Sequence, residues 1–519
     1  MVTDLLDLPD HLFLGLCIDT DTLGGRDLAA LEAVSRRFRL QSAELSSGSG
    51  GPPGSSQRCT LCECAAERRV RGHGEGWRVA KRAGEGRKYV LWVLEGGLLP
   101  PLPVVSAGLE HTLVRAGEEG GRLFAFGRDH FNQLGLGGRE EMVARDMDEH
   151  EDDREASPRE VERLRGRRVV SVAAGGHHSA ALSEEGGVMT WGVASLGILG
   201  HGPVPAEGAH VVAAPRLVTG GFPQGTRVAL VAAGGSHTAC VTALGHVFSW
   251  GGGMLGRLGH GDEENQHTPR RVETLAGQRV VGLDCGDATT AAVTVAGELF
   301  VWGMLQPGDM DVSTPERVNF PQAGVKVRRV SCGDEHFAAV DTEGVLYNWG
   351  LAGEYGRLGH NSEQDEEAPR VVAALAGQRV VMVSCGANHT AVVTVEGQMF
   401  TWGWDGQGQL GHSDSNNTVP VRVTAGLPGG EAGVVRGVSC GYDHTVVVMA
   451  SGEVCTVGHG DSGQLGHGDT VTPNWPLTSL MKVVKGLPSL LHRRASKAVI
   501  YTPAGLQECL DAGARGSPC

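Results

Sequence analysis

The chain has 519 residues, 80 of them glycine, and a formal net charge of −15. This length exceeds that of one average domain, and the acidic balance excludes a general electrostatic field that would attract nucleic acid. No stretch approaches the ~18 apolar residues of a transmembrane helix, and the N-terminus lacks the basic and apolar regions of a secretory signal. The sequence therefore favours an intracellular protein, cytoplasmic or nuclear, without a membrane partner.

The first 45 residues have the spacing of amphipathic helices. Two apolar stripes recur at helical spacing: Leu8, Leu12 and Leu16, then Leu28, Leu31, Val34 and Phe38. Residues 46–56 are rich in Ser, Gly and Pro, the composition of a flexible linker. We predict a small α-helical domain at 1–45, and a linker with a helical adaptor at 46–103.

One pattern recurs seven times between residues 108 and 458: Gly-x-x-His, followed by an aromatic residue and Gly. The histidine slot holds His111, His178, His237, His336, His389 and His444, with Thr289 in the fourth copy. The aromatic slot holds Phe126, Trp191, Trp250, Trp302, Trp349 and Trp402, with Val457 in the last copy. A period of roughly 50 residues is typical of repeat architectures.

The sixth copy shows how each repeat is predicted to fold. Residues 380–386 form a buried strand, 389–394 a second strand, and 398–403 return antiparallel after a Glu-Gly turn. Residues 419–423 supply an outer edge strand, where proline is tolerated. Seven such sheets arranged radially predict an all-β, seven-bladed β-propeller over residues 104–480. The tail, 481–519, is expected to add a closing strand or helix, or to fray.

The most regular residues of the repeat indicate framework. Five tryptophans occupy one register, which favours a wedge between blades, and one histidine per blade is too dispersed for a single metal ion. Cys285, Cys332, Cys385 and Cys440 alternate with alanine in other copies, which indicates small, buried, reduced thiols. Cys59, Cys62 and Cys64 have no second ligand pair. We expect no metal and no cofactor.

Two segments depart from the repeat. Residues 139–155 carry nine acidic and three basic side chains inside the first copy, which predicts a solvated loop or a contact with a basic partner. In the fourth copy, Thr289 replaces histidine and residues 304–310, MLQPGDM, replace the usual Leu-Gly-His-Gly loop. An irregular loop or a lost contact is expected there.

The repeat VSCGANHTAVVTVEGQMFTWGWDGQGQLGHS and the Leu-Gly-His-Gly endings at 199–202, 258–261 and 465–468 resemble the regulator of chromosome condensation family. The resemblance covers about residues 104–480 and implies a seven-bladed propeller. A photoreceptor relative carries Trp on its interaction face, but the matching slots here lack Trp, which argues against light sensing.

Residues 5–40 resemble an F-box, with a middle about two residues longer than usual. That resemblance implies docking to a Skp1-like adaptor of a cullin ubiquitin ligase through Leu8, Pro9, Leu12, Leu14, Val34 and Phe38. The alternative is a helical pair that packs on the propeller.

The variable residues between each Gly and His lie at predicted strand ends and are candidates for partner binding. They are Glu110, Asp287, Asp334, Glu335, Asn388, Tyr442 and Asp443. Their acidic bias suggests a basic partner segment.

Three functions remain open from the sequence. The first is a non-catalytic substrate-recognition subunit of a ubiquitin ligase. The second is a guanine nucleotide exchange factor for a Ran-like small GTPase, which the family resemblance also implies. The third is a plain scaffold.

Overall fold

The computed structural model describes residues 105–116, 122–137, 153–203, 211–305, 311–351, 355–412, 417–424, 427, 433–472 and 481–484. The predicted N-terminal helices, the linker and the three cysteines at 59–64 lie outside these residues, as does most of the acidic segment 139–155.

Seven four-stranded antiparallel sheets form the blades, and each blade uses four strands that are consecutive in the chain. Blade 1 contains β1 (Val105–Ala107), β2 (His111–Ala116), β3 (Arg122–Arg128) and β4 (Arg154–Glu160). Blade 2 contains β5 (Val169–Ala174), β6 (His178–Ser183), β7 (Val188–Val193) and β8 (Val211–Leu217). Blade 3 contains β9 (Val228–Ala233), β10 (His237–Thr242), β11 (Val247–Gly251) and β12 (Gln266–Arg271).

Blade 4 contains β13 (Val280–Cys285), β14 (Thr289–Thr294), β15 (Leu299–Gly303) and β16 (Val312–Arg317). Blade 5 contains β17 (Val327–Cys332), β18 (His336–Asp341), β19 (Leu346–Gly350) and β20 (Glu366–Val371). Blade 6 contains β21 (Val380–Cys385), β22 (His389–Thr394), β23 (Met399–Gly403) and β24 (Val421–Arg422). Blade 7 contains β25 (Val435–Cys440), β26 (His444–Met449), β27 (Val454–Gly458) and β28 (Met481–Val484).

The helices within the described residues are single 3₁₀ turns, at Glu162–Leu164, Ser195–Gly197, Met254–Gly256, Glu273–Leu275 and Ala373–Leu375. No helix in this part of the chain is long and apolar enough to cross a membrane.

The core lies between blades, because both faces of the middle strands are buried. Strand β22, HTAVVT, is buried at every position, so its apolar side chains pack against the neighbouring blade on each side. Trp191 and Trp402 are fully buried, and their indole N–H groups donate to the carbonyls of Gln133 and Arg357 in the preceding blade, at 2.9 and 2.8 Å. The predicted wedge role of the tryptophans is therefore confirmed.

The histidines of the repeat connect each blade to the next. At six of the seven seams, the histidine Nε2 lies 2.8–2.9 Å from a hydroxyl one residue after the histidine slot of the following blade. The pairs are His111–Ser179, His178–Thr238, His237–Thr290, His336–Thr390, His389–Thr445 and His444–Thr112. Each hydroxyl also donates to a backbone carbonyl, as Thr238 does to Ile198 at 2.9 Å. The hydroxyl oxygen therefore accepts from the histidine Nε2–H.

The seam between blades 4 and 5 lacks this bond because both of its partners are replaced. Thr289 stands in the histidine slot and Phe337 in the hydroxyl slot. The Thr289 hydroxyl has no hydrogen-bond partner among the described residues, and the Cys332 thiol lies near it. Phe337 instead stacks on Trp349, with ring centroids 5.4 Å apart and nearly parallel planes. The lost contact expected in the fourth copy is thus the polar link between blades 4 and 5, and Phe337 packs there in an apolar cluster that contains residues of both blades.

These adjacent threonines provide a matched test of the seam bonds. We expect Thr290→Val to destabilise the protein by about 2 kcal/mol, because it leaves the buried His237 Nε2–H and the Arg257 carbonyl without a partner. Thr289→Val removes a hydroxyl that has no histidine partner and only the Cys332 thiol nearby, so it should cost much less stability than Thr290→Val. Urea unfolding of both variants measures the difference, and equal losses of stability would contradict the assignment.

The ring closes between blades 7 and 1 without exchanging a strand. His444 bonds Thr112 at 2.9 Å, and the Ala107 N–H donates to the Ser439 hydroxyl at 3.0 Å. Residues from both blades share one apolar cluster, which includes Val114 and Val446. The tail predicted to add a closing strand or helix supplies β28, the outer strand of blade 7.

Candidate partner-binding face

The seven glycines of the Gly-x-x-His pattern form a closed ring at one end of the propeller, which we call the top face. They are Gly108, Gly175, Gly234, Gly286, Gly333, Gly386 and Gly441. A Cβ on any of them would lie within 3 Å of the carbonyl oxygen of the next, and Gly441 returns to Gly108. Only glycine allows this approach. The ring surrounds a central depression of about 110 Å³, whose rim includes Asp287, Asp334 and Tyr442.

Five of the seven predicted binding residues lie together around this depression. Tyr442 interacts electrostatically with Asp287, Asp334, Glu335 and Asp443. Burial, followed by the repulsion of Asp287 and Glu335, raises the pKa of Asp334 to about 7. Burial also raises the pKa of Asp443 to about 6. We call this group of five residues the acidic rim.

The other two predicted residues do not belong to the acidic rim as defined by these interactions. Glu110 forms an ion pair with Arg128 at 2.8 Å and accepts a hydrogen bond from Ser462 at 3.3 Å, so it belongs to the seam between blades 7 and 1. Asn388 lies in blade 6, between the blades that carry Glu335 and Asp443, and its backbone carbonyl accepts the Trp404 backbone N–H at 2.8 Å.

Two buried arginines beneath the acidic rim were missed by the sequence analysis. Arg357 Nη1 donates to Glu335 Oε2 at 3.1 Å and to the Ala387 carbonyl at 3.3 Å. Arg257 Nη1 donates to the Asp287 carbonyl at 3.2 Å. The same position of the repeat holds Gln in blades 1, 6 and 7. The change from Gln to Arg in blades 3 and 5 could have indicated these arginines from the sequence. The arginines offset part of the negative charge above them.

Large apolar side chains, also missed, are exposed in the top-face loops that follow the aromatic-Gly pairs. Met254 is 64% exposed, Leu196 45% and Tyr355 41%. Tyr355 pairs with the half-buried Trp404, with ring centroids 6.0 Å apart and an interplanar angle of 48°. The top face therefore combines an acidic centre with apolar loops.

The cysteine thiols that line the depression are protonated and therefore uncharged. Burial raises the pKa of the Cys440 thiol to about 12 and that of Cys385 well above its usual value. These thiols and that of Cys285 and Cys332 are buried and free, as predicted, and protonated thiols are poor nucleophiles. Within the described ranges, no group of three His, Cys, Asp or Glu side chains could hold a metal ion. The face can bind through charge and apolar contact.

This architecture, a closed ring of seven four-stranded sheets with a charged and partly apolar end, defines a seven-bladed β-propeller. The chain belongs to the RCC1-like domain family, whose model matches residues 206–494. Models of the regulator of chromosome condensation repeat match residues 120–182 and 169–197.

Relatives share the propeller at moderate identity. The human E3 ubiquitin-protein ligase HERC2 is 36% identical over 358 residues, which cover 67% of this chain and 7% of HERC2. The chain therefore matches a small part of that relative. The Arabidopsis thaliana ultraviolet-B receptor UVR8 is 33% identical over 72% of this chain and 80% of the receptor. Yeast RCC1 (Prp20), solved bound to Kap60, has 19% identity and a TM-score of 0.59, covering 79% of this chain and 90% of its own.

Proposed function

We propose that this chain is a non-catalytic protein-interaction protein whose top face binds a basic segment of a partner. The acidic rim carries the proposal: four carboxylates interact with one another at this end, two of them, Asp287 and Asp334, line the central depression, and Arg257 and Arg357 compensate only part of their charge. Complementary charge speeds association and favours basic partners over acidic ones. The acidic segment 139–155 ends on the same face, since the Asp129 N–H donates to the Asp153 carbonyl at 2.7 Å.

We further propose that the chain selects substrates for a ubiquitin ligase. HERC2, a relative of the propeller, is an E3 ubiquitin-protein ligase, and the F-box-like segment supports an adaptor-docking role for residues 1–45. Leu8, Pro9, Leu12, Leu14, Val34 and Phe38 supply the apolar contacts in this proposal.

A two-arm purification of the full chain tests both parts. Asp287→Asn/Asp334→Asn/Asp443→Asn removes rim charge and should release a basic partner while a Skp1-like adaptor stays bound. Leu8→Ala/Pro9→Ala should release the adaptor while the basic partner stays bound. Quantitative mass spectrometry of the copurified proteins measures both. Absence of any Skp1-like protein from the wild-type sample would refute the ligase role, and identical partners for the rim variant would refute the acidic-face role.

The exchange-factor alternative predicts a different measurement. Prp20p, a structural neighbour at 21% identity with a TM-score of 0.56, was solved in work that describes its binding to Gsp1p and histones. Faster nucleotide release from a Ran-type GTPase in the presence of this chain would favour exchange over substrate selection.

A further inference from the structure

Tyr355 and Trp404 form an exposed aromatic pair that the framework of the propeller does not require. Each follows the aromatic-Gly pair of its blade, Trp349-Gly in blade 5 and Trp402-Gly in blade 6. Trp349 and Trp402 fill the core, whereas Tyr355 is 41% exposed and Trp404 is half-buried. Aromatic rings left at the surface in contact with each other offer a large binding area.

The pair is held in place by a rigid network. The Trp404 indole lies over Gly406, where any Cβ would clash with the ring. The backbone N–H of Trp404 donates to the Asn388 carbonyl at 2.8 Å. Arg357, two residues after Tyr355, accepts the Trp402 indole N–H on its carbonyl at 2.8 Å. The two loops that carry the aromatic rings are therefore joined through Arg357, and the pair needs little ordering when a partner binds.

Carboxylates are connected to this pair through Arg357. The guanidinium of Arg357 donates to Glu335 at 3.1 Å and to the Ala387 carbonyl, which precedes Asn388. Asp334, the residue before Glu335, also interacts electrostatically with Arg357. An aromatic surface beside carboxylates matches the chemistry of arginine, whose planar guanidinium stacks on rings and donates to carboxylate oxygens.

We propose that Tyr355 and Trp404, together with Asp334 and Glu335, form a seat for an arginine side chain in the partner's basic segment. The guanidinium stacks on the exposed side of the aromatic pair, and the carboxylates hold its charge. This inference rests on the proposed function, since it names one subsite of the acidic face.

A labelled peptide of alternating arginine and glycine is the probe, with its citrulline analogue as the uncharged control. The full chain should bind the arginine peptide in fluorescence anisotropy and bind the citrulline analogue weakly. We expect Trp404→Ala and Tyr355→Ala each to weaken binding about tenfold, equivalent to about 1.4 kcal/mol. Trp404→Phe keeps an aromatic face and should lose less. Leu244 is an exposed apolar residue at the opposite end of the propeller, and Leu244→Ala should leave the affinity for the arginine peptide unchanged.

The outcomes separate this inference from the proposed function. If Asp287→Asn/Asp443→Asn weakens binding but the aromatic variants do not, the arginine seat is wrong and the acidic face stands. If the wild type ignores the arginine peptide, or binds the citrulline analogue equally well, both are wrong. Because Trp404→Ala could disturb folding, its thermal unfolding is compared with that of Trp404→Phe. A Trp404→Phe variant that loses as much affinity as Trp404→Ala overturns stacking as the mechanism.

Discussion

Gly386→Ala should destabilise the propeller by at least about 3 kcal/mol, the upper range for overpacking. The added Cβ would lie within 3 Å of the His389 imidazole and of the Gly441 carbonyl oxygen. Neither neighbour can retreat, because His389 is fully buried and bonds Thr445, and Gly441 belongs to the closed glycine ring. The midpoint of urea unfolding and the yield of folded protein measure the effect.

Two other Gly→Ala substitutions separate the clash from general effects of losing a glycine. At Gly220 the nearest atom to a new Cβ is Thr268 Cγ2 at 3.4 Å, an ordinary contact, so Gly220→Ala should be close to neutral. Gly377 has open space but a φ of 82°, so Gly377→Ala should cost about 1 kcal/mol of backbone strain. A Gly386→Ala variant as stable as Gly220→Ala would show that the ring tolerates a side chain.

His444→Ala should cost about 3–5 kcal/mol, because it leaves a large cavity and removes a buried hydrogen bond from the seam that closes the ring. His444 is fully buried and bonds Thr112, a residue 332 positions earlier in the chain. His246→Ala, at a partly buried histidine outside the seams, is the control and should cost little. Urea unfolding near neutral pH measures both variants.

The cost of His444→Ala should also depend on pH. Burial, followed by His389 and His459, lowers the pKa of His444 to about 3, whereas an unfolded histidine titrates near 6.5. Below that pH the unfolded wild type binds a proton that the folded state cannot, so the wild type loses stability that the alanine variant keeps. The difference in unfolding free energy between the wild type and His444→Ala should therefore narrow by about 1.4 kcal/mol per pH unit below about 6.5. A gap that stays constant down to pH ~5 would show that His444 is charged in the folded state.

The fold could be predicted because the apolar pattern and the turns of each repeat indicate its strands, and the same pattern occurs in seven copies. The bond from His389 to Thr445 could not, because it joins neighbouring blades and depends on their spacing. A signal was nevertheless present: Ser or Thr follows the histidine slot in six copies, and Phe337 is the exception, after the one blade that carries Thr289.

Prediction of the site was partial for a similar physical reason. Asp334, Asp443 and their neighbours follow from their place beside the glycine ring. Glu110 shares that place, yet Arg128 and Ser462 engage it in a seam. Arg357, Tyr355 and Trp404 lie in the loops that follow the aromatic-Gly sequence. The strand pattern does not define the course of these loops.

The closure of the ring without strand exchange has a consequence for the route of the chain. Strand β1 runs towards the glycine ring, so its first residue, Val105, faces away from it, and Val484 pairs with Val454 at the far end of blade 7. Val105 lies about 10 Å below the glycine ring, three residues along the strand, and β28 ends at Val484, at the end of blade 7 opposite the acidic rim. A segment joined directly after Val484 starts at the opposite end of blade 7 from a partner bound to the acidic rim.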